Sequence, residues 1–299
     1  MGEITIRPLF ALDELRAIVE LQHAYWGDDA ESVVPAQMLF SLTSHGGHVL
    51  AAFDDGQPVG MLIGFIGTDS EVTGRPAMAN LQLVSKRMVV LPGYRGSGIG
   101  FRLKQAQRDL ALQQGLRLVT WTFDSVMALN AHLNIRKLGG ICTRYLQDYY
   151  GTTAGGGLVL LGTSDRLSVE WWVTSRRVEE RLHGSRPALS LEQSLAAGAA
   201  ILNPADVDAA GRPVPRMMPP QFGSNALALL EIPLDFNGLL AQDEALARDW
   251  RSHTRAMFVQ AFARGFIVTD FLRATHEGRD RAFYLLGYNG PQFETISYN

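Results

Sequence analysis

The segment VVLPGYRGSGIG, residues 89–100, most constrains the fold of this chain. It joins an apolar run that is typical of a buried strand to a segment with apolar residues at helical spacing, and proline and glycine lie between them. The sequence therefore predicts a strand, a tight loop and the first turn of a helix. Backbone N–H groups are unpaired at such a helix start, and the helix dipole adds partial positive charge there. This arrangement favours a phosphate-binding site, and the pyrophosphate of a nucleotide cofactor is the expected ligand.

The loop has three other possible interpretations. A P-loop requires Lys followed by Ser or Thr after its last glycine, but Phe101 and Arg102 follow Gly100 here, so that site is excluded. A dinucleotide fingerprint requires a small residue where Leu103 stands, which makes that site a poor match. A glycine-rich turn without any ligand stays open at this point.

The hexapeptide RGSGIG, residues 95–100, resembles the Arg or Gln, x, x, Gly, x, Gly or Ala motif of the GNAT acyltransferase superfamily. The resemblance implies an α/β fold with a mixed sheet (α+β) and acetyl-CoA or another acyl-CoA as co-substrate. It further implies that backbone groups of Val89 and Val90 pair with the pantetheine arm like an added strand. The cofactor-binding residues of the pyrophosphate loop are then Arg95, Gly96, Ser97, Gly98, Ile99 and Gly100.

The order of sequence patterns favours two structural parts. The first, residues 1–175, begins with a strand, two helices and two strands joined by an Asp55-Gly56 turn, and is the GNAT-like part. After the loop come a helix closed by Gly115, a strand, and a helix whose residues Val126, Leu129 and Leu133 are expected to face the core. Residues 176–299 are a C-terminal extension with the pattern β-α-β-β. Whether it extends the first sheet, forms a degenerate half-domain or supports a homodimer is left open.

The expected catalytic groups depart from the family pattern. The family often places a glutamate base just before the apolar end of the strand, where this chain has Lys86 and Arg87. We predict that these two residues bind an anionic acceptor or acyl group, with a solvated strand edge as the alternative. The usual tyrosine acid is also replaced, so Tyr145 and Tyr149 are the predicted catalytic residues.

The helix before Gly139 supplies two further predicted contacts. Asn130 and Asn134 are one helical turn apart beside the core-facing residues. We predict that both contact the pantetheine amides or the acceptor, and a solvent-exposed helix face is the alternative.

Charge and composition limit the remaining function classes. The formal net charge is −3 and charged residues make up 19% of the chain, so no broad basic surface for nucleic acid or membranes is expected. The single cysteine, Cys142, cannot form an internal disulfide, and its apolar surroundings predict a buried residue in a cytoplasmic protein. No His, Cys, Asp or Glu cluster has the spacing of metal ligands, so no metal is expected.

These features together predict an acyl-CoA-dependent N-acyltransferase. The expected reaction moves an acetyl or other short acyl group, such as succinyl, to the amine of a small molecule, for example an amino acid. A protein that binds acyl-CoA without catalysis is the main alternative, because the usual base and acid are missing. An interaction module that uses the C-terminal part is the third.

Overall fold

The computed structural model describes residues 2–29, 31–69, 74, 76–153, 157–185, 189–216, 220, 222 and 225–290. Parts of the glycine-rich segment 151–157 and of the proline-rich loop 203–225 lie outside these residues. The chain divides into two compact units, and neither is continuous in sequence. The first comprises Met1–Trp121, Tyr150–Gly162 and Glu170–Glu179, and the second comprises Thr122–Tyr149, Thr163–Val169 and Glu180–Asn299.

The first unit is built on strands and helices in the predicted order. Its elements are β1 (Thr5–Pro8), α1 (Leu12–Trp26), α2 (Ala36–Ser44), β2 (His48–Asp54), β3 (Gln57–Thr68), β4 (Leu81–Val90) and α3 (Ile99–Gln113), followed by β5 (Leu118–Phe123), of which residues 118–121 belong to this unit. The sheet order is β1-β2-β3-β4-β5, antiparallel up to β4 and parallel between β4 and β5. The mixed sheet expected from the sequence is therefore confirmed.

Both faces of this sheet are covered by apolar side chains. Leu15 and Ile18 of α1 pack with Leu39 of α2 against one face, whereas Ile99 and Leu103 of α3 pack against the other. The hairpin between β2 and β3 turns at Asp55 and Gly56, which have φ angles of 46° and 79°. Positive φ at both central residues is the geometry that an Asp-Gly sequence favours, because it matches the twist of the two strands.

The second unit contains the predicted β-α-β-β pattern. Before that pattern come α4 (Ala128–Ala131), a π-helical turn (His132–Lys137) and β6 (Ile141–Leu146). Two further elements, β7 (Arg166–Trp172) and α5 (Arg176–Leu182), each have residues in both units. They are followed by α6 (Leu191–Ala196) and by the two-residue strands β8 (Ala200–Ile201), β9 (Asp206–Val207) and β10 (Pro213–Val214). The pattern itself begins with β11 (Leu227–Ile232). Two helices follow where the sequence indicates one, α7 (Phe236–Gln242) and α8 (Glu244–Ala263), and the pattern ends with β12 (Phe266–His276) and β13 (Arg279–Tyr288). Within this unit the sheet order is β6-β12-β13-β11-β8.

Aromatic and aliphatic side chains form the core of the second unit. Phe258 of α8 packs edge-to-face on Tyr284 of β13, with ring centroids 5.2 Å apart, and Tyr284 contacts Phe271 of β12 in the same way. Leu191 of α6 packs with Leu229 of β11 and neighbouring residues in a separate apolar cluster. Burial of these large side chains is the main term that stabilises such a unit.

One predicted core position is wrong. Leu129 is 72% exposed, because α4 is a single turn that is followed by the wider π-helical turn rather than by a regular helix. The wider turn changes the angular spacing of the side chains, so the 3.6-residue pattern no longer gives the buried face. Cys142 is fully buried, as expected.

Among the described residues, no helix combines the length and the apolar character that crossing a bilayer requires.

Candidate functional site

The pyrophosphate loop has the predicted strand, loop and helix-start geometry. β4 ends at Val90, a 3₁₀ turn covers Pro92–Tyr94, and α3 begins at Ile99 after Gly98. Gly96 and Gly98 have φ angles of 81° and 86°, in the left-handed region that favours glycine. A Cβ added at either glycine would meet nothing within 4 Å, so this backbone faces open space.

The start of α3 carries no side-chain cap. No side chain of the N-terminal cap residue Gly98 is available to accept from the first-turn N–H groups, and the first helical hydrogen bond is from Arg102 N to Gly98 O. The preceding amides therefore point toward the exposed loop with the positive end of the helix dipole behind them. This is a suitable site for a bound anion.

Neighbouring side chains hold the loop in place. The Tyr94 hydroxyl donates to the Asp54 carboxylate at 2.8 Å, and this contact raises the pKa of Tyr94. Ser97 Oγ donates to Tyr94 O at 2.6 Å. Arg95 is exposed, and its guanidinium donates to the Tyr25 hydroxyl at 2.9 Å. A tyrosine hydroxyl does not neutralise the guanidinium, so its charge remains available to an anion at the loop.

Substitution of Gly98 is expected to weaken the loop. Gly98→Ala places a Cβ in the left-handed region and should lower the free energy of unfolding of the full chain by about 1–2 kcal/mol. Denaturant unfolding monitored by circular dichroism measures this change. Gly93→Ala is the matched control, because Gly93 lies in the same loop without a positive φ and with open space at its Cβ position. Equal stabilities of the two variants would contradict the assigned backbone role of Gly98.

The second edge of β4 is open beside the loop. β3 pairs with β4 along Leu81–Val90, but β5 pairs with it only at Leu83 with Val119 and Val84 with Thr120. Within the described residues of these strands, β4 and β5 therefore form a fork beyond Val84.

Along an antiparallel pair, the backbone N–H and C=O groups of successive residues point alternately to the two sides of the strand. The hydrogen bonds between β3 and β4 therefore show which residues of β4 direct these groups into the fork. Leu91 N donates to Val59 O, so the groups of Val89 are directed to β3 and those of Met88 and Val90 to the open edge. Val90 thus faces the open edge as predicted, whereas Val89 does not. An extended ligand can pair with that edge as an added strand.

Lys86 and Arg87 differ in their surroundings. The pairing of β3 with β4 skips one residue at Lys86, which is exposed with its ammonium 5.6 Å from the centre of the Tyr150 ring. The Arg87 guanidinium donates to the backbone oxygens of Glu31 and Ser32. Burial lowers the pKa of Arg87, which remains a cation. Lys86 is therefore the more accessible of the two cations.

The predicted tyrosines lie in the second unit. The Tyr145 hydroxyl donates to Asp165 Oδ2 at 2.7 Å, and burial raises the pKa of Tyr145 well above its usual range. Arg255 of α8 binds the same carboxylate through Nε and Nη2, at 2.7 and 2.5 Å. Tyr149 is 52% exposed beyond the end of β6. A catalytic role of either tyrosine stays a prediction.

The two predicted asparagines do not share one environment. Asn130 is exposed on α4, whereas Asn134 is buried inside the π-helical turn. The predicted site residues are thus divided, with the loop, Lys86 and Arg87 in the first unit and the tyrosines and asparagines in the second. No group of three or more potential metal ligands occurs among the described residues.

Sequence reasoning missed a buried polar chain behind the fork. Lys104 of α3 is only 2% exposed, and its Nζ lies 2.8 Å from Ser85 Oγ and 3.2 Å from Gln107 Oε1. Gln107 Nε2 lies 2.9 Å from His48 Nε2. Lys104 and Gln107 are buried on the same helix as Ile99, Leu103 and Ala111, and these polar residues at core-facing positions were the available signal.

The uncapped start of α3 and its glycine loop lie beside an open strand edge on a mixed sheet. The acetyltransferase (GNAT) family model matches residues 13–134, which is less than half of the chain. Residues 13–134 of this chain are therefore similar to the GNAT acetyltransferase family.

Solved structures with similar backbones cover a little over half of the chain. An N-acetyltransferase from Staphylococcus aureus Mu50 is 15% identical and matches 58% of this chain and 100% of its own, with a TM-score of 0.44. The ribosomal-protein-S18-alanine N-acetyltransferase from Escherichia coli is 15% identical over 58% and 96%, with a TM-score of 0.43. The Drosophila melanogaster polyamine N-acetyltransferase is 15% identical over 56% and 99%, also with a TM-score of 0.43. No curated protein matches the sequence.

Proposed function

We propose that this chain transfers an acetyl or other short acyl group, such as succinyl, from acyl-CoA to the amine of a small anionic molecule such as an amino acid. The observation that carries the proposal is the fork between β4 and β5, which opens beside the left-handed glycines and uncapped start of α3. The family match supports a catalytic protein rather than one that only binds acyl-CoA.

The first unit has a group for each part of the carrier. The amides of residues 96–100 and the Arg95 guanidinium bind the pyrophosphate, since both present positive charge at the loop. The Arg95 amide donates to Pro92 O instead. Backbone groups of Met88 and Val90 pair with the pantetheine amides along the open edge of β4. The thioester then lies in the fork, where the acceptor nitrogen attacks its carbonyl carbon.

The reaction requires the acceptor amine to lose a proton. As the new C–N bond forms, the C–S bond breaks and the thiolate leaves with CoA, so the nitrogen must transfer a proton to a base or to water. Lys86 and Arg87 occupy the positions of the carboxylate that the family often uses. A thiolate is a tolerable leaving group, so a dedicated acid such as Tyr145 or Tyr149 is not obligatory.

Ligand-dependent stability tests the carrier site. We would measure the thermal midpoint of the full chain with acetyl-CoA, succinyl-CoA, free CoA and NAD. A ligand at one hundred times its dissociation constant adds about 2.7 kcal/mol. The proposal expects a shift with the CoA species but not with NAD, together with acyl-dependent release of CoA thiol in the presence of an acceptor. Absence of both effects would overturn it.

Lys86 is the proposed contact for the negative charge of the acceptor. Loss of one exposed ion pair is worth about 1 kcal/mol, so Lys86→Ala should raise KM for an amino acid about fivefold and leave kcat little changed. The amine that lacks only the carboxylate should show no such increase. Steady-state kinetics with the two acceptors measures the difference.

Arg16→Ala is the control for loss of one positive charge, because Arg16 is exposed on α1 and pairs with Asp13. Equal effects of Lys86→Ala on both acceptors would remove Lys86 from the acceptor site.

A further inference from the structure

The fork between β4 and β5 has a polar base. The last paired residues are Val84 and Thr120, so Ser85 and Trp121 are the first residues beyond the pairing on the two strands. Both side chains are buried, at 7% and 8% exposed. They therefore stand where the strands diverge and where the proposed function places the thioester.

A single lysine connects these two residues. Lys104 extends from α3, with Nζ 2.8 Å from Ser85 Oγ and 3.5 Å from the centre of the Trp121 ring. Within the described part of the chain, Lys104 makes no ion pair, and its other polar contact is Gln107 Oε1. A buried ammonium without a carboxylate is unfavourable, and burial lowers the pKa of Lys104 well below its usual range.

When Lys104 is neutral, the hydrogen bonds from Ser85 through Lys104 and Gln107 to His48 all run in the same donor-to-acceptor direction. In its neutral form, Lys104 can accept from the Ser85 hydroxyl through the Nζ lone pair, while an Nζ–H donates to Gln107 Oε1 and Gln107 Nε2 donates to His48 Nε2. His48 is the other titratable group in this chain, and burial lowers its pKa to about 4, so it is neutral and able to accept. Ser85 Oγ then keeps lone pairs that can accept from a ligand in the fork.

We propose that Ser85 and Lys104 form the proton relay that deprotonates the acceptor amine, in place of the carboxylate missing at positions 86 and 87. As the nitrogen bonds to the thioester carbon, its proton passes to Ser85 Oγ and the Ser85 proton passes to Lys104 Nζ. The C–S bond breaks and the thiolate leaves. The Lys104 ammonium, over the face of Trp121, then returns its proton through Ser85 to the sulfur of the thiolate, so that the net products from a neutral amine are the amide and CoA thiol.

Four variants test the relay: Lys104→Met, Ser85→Ala, the double variant and Leu103→Met. Activity is measured as CoA thiol release from acetyl-CoA with L-glutamate, glycine, L-lysine and spermidine, from pH 6.5 to 9.5. Leu103→Met is the control for a volume-conserving change in the same buried region of α3.

The relay predicts that Lys104→Met and Ser85→Ala each lower kcat about a hundredfold, while the CoA dissociation constant stays within twofold of the wild-type value. The double variant should be no slower than the slower single variant, because the two residues act as one path. Activity of both single variants should rise with pH up to 9.5, since free hydroxide then replaces the lost acceptor, whereas the wild-type profile should level off at lower pH.

The inference rests on the proposed function, and the outcomes separate the two. A wild-type chain that releases no CoA with any of these acceptors overturns both. An active wild type with unchanged kcat and pH profile in Lys104→Met overturns the relay alone. If Lys104→Met does not fold, Ser85→Ala decides by the same criteria, because it removes only one oxygen.

Discussion

Replacement of Lys104 by methionine is expected to stabilise the chain at neutral pH, and to do so less as the pH rises. In the unfolded chain Lys104 carries a proton, whereas in the folded chain burial lowers its pKa well below the usual range. Between these two pKa values the unfolded state binds one more proton, so the free energy of unfolding of the wild type increases with pH by about 1.4 kcal/mol per unit. Methionine fills a similar volume without this proton.

The measurement is the difference in unfolding free energy between Lys104→Met and wild type at pH 7, 8 and 9. It should fall as the pH rises, by up to about 1.4 kcal/mol per pH unit. Burial lowers the pKa of His48, the titratable group linked to Lys104 through Gln107, to about 4 in the folded chain, so folded His48 binds no proton in this window. All other groups are shared by the two proteins and cancel in the difference.

Leu103→Met is the control, because it changes neighbouring core packing without changing any titratable group, and its difference from wild type should be constant with pH. A constant difference for Lys104→Met as well would show that Lys104 keeps its proton on folding. The relay inferred at the fork would then lose its proton acceptor, whatever the activity of the variant.

Local patterns predicted much of the first unit. Asp55-Gly56 specified the turn between β2 and β3, and the periodic Ile99 and Leu103 specified the buried face of α3. The glycines at 96 and 98 marked a backbone that requires positive φ. In each case neighbouring residues alone determine the conformation, so one sequence is sufficient.

Long-range contacts could not be predicted in the same way. Lysine is almost always exposed, so residue preference places Lys104 in solvent although the helical pattern places it in the core. Its partners Ser85 and Trp121 lie on β4 and β5 and are 19 and 17 residues away in sequence. The roles of Arg87 and of Leu129 likewise depend on a loop contact and on a π-helical turn that no short pattern shows.

A second large effect is expected from the buried ion pair of the second unit. Arg281 of β13 binds Glu231 of β11 through Nε and Nη2, at 2.8 and 2.5 Å, and the side chains are 2% and 3% exposed. Glu231 also accepts from the backbone N–H of Ala205 at 2.8 Å. Arg281→Met leaves this carboxylate buried without its cation, and should lower the free energy of unfolding by about 3–5 kcal/mol.

The double variant Arg281→Met/Glu231→Gln distinguishes an unpaired charge from lost packing. The glutamine has no charge to bury and its carbonyl oxygen still accepts from Ala205, so at least half of the lost stability should return. Arg248→Ala, which removes an exposed pair with Glu244 on α8, is the control and should cost less than about 0.5 kcal/mol. Denaturant unfolding of all three variants provides the comparison. If the double variant is as unstable as Arg281→Met alone, the arginine stabilises this sheet through its contacts with neighbours such as Phe283 rather than through its charge.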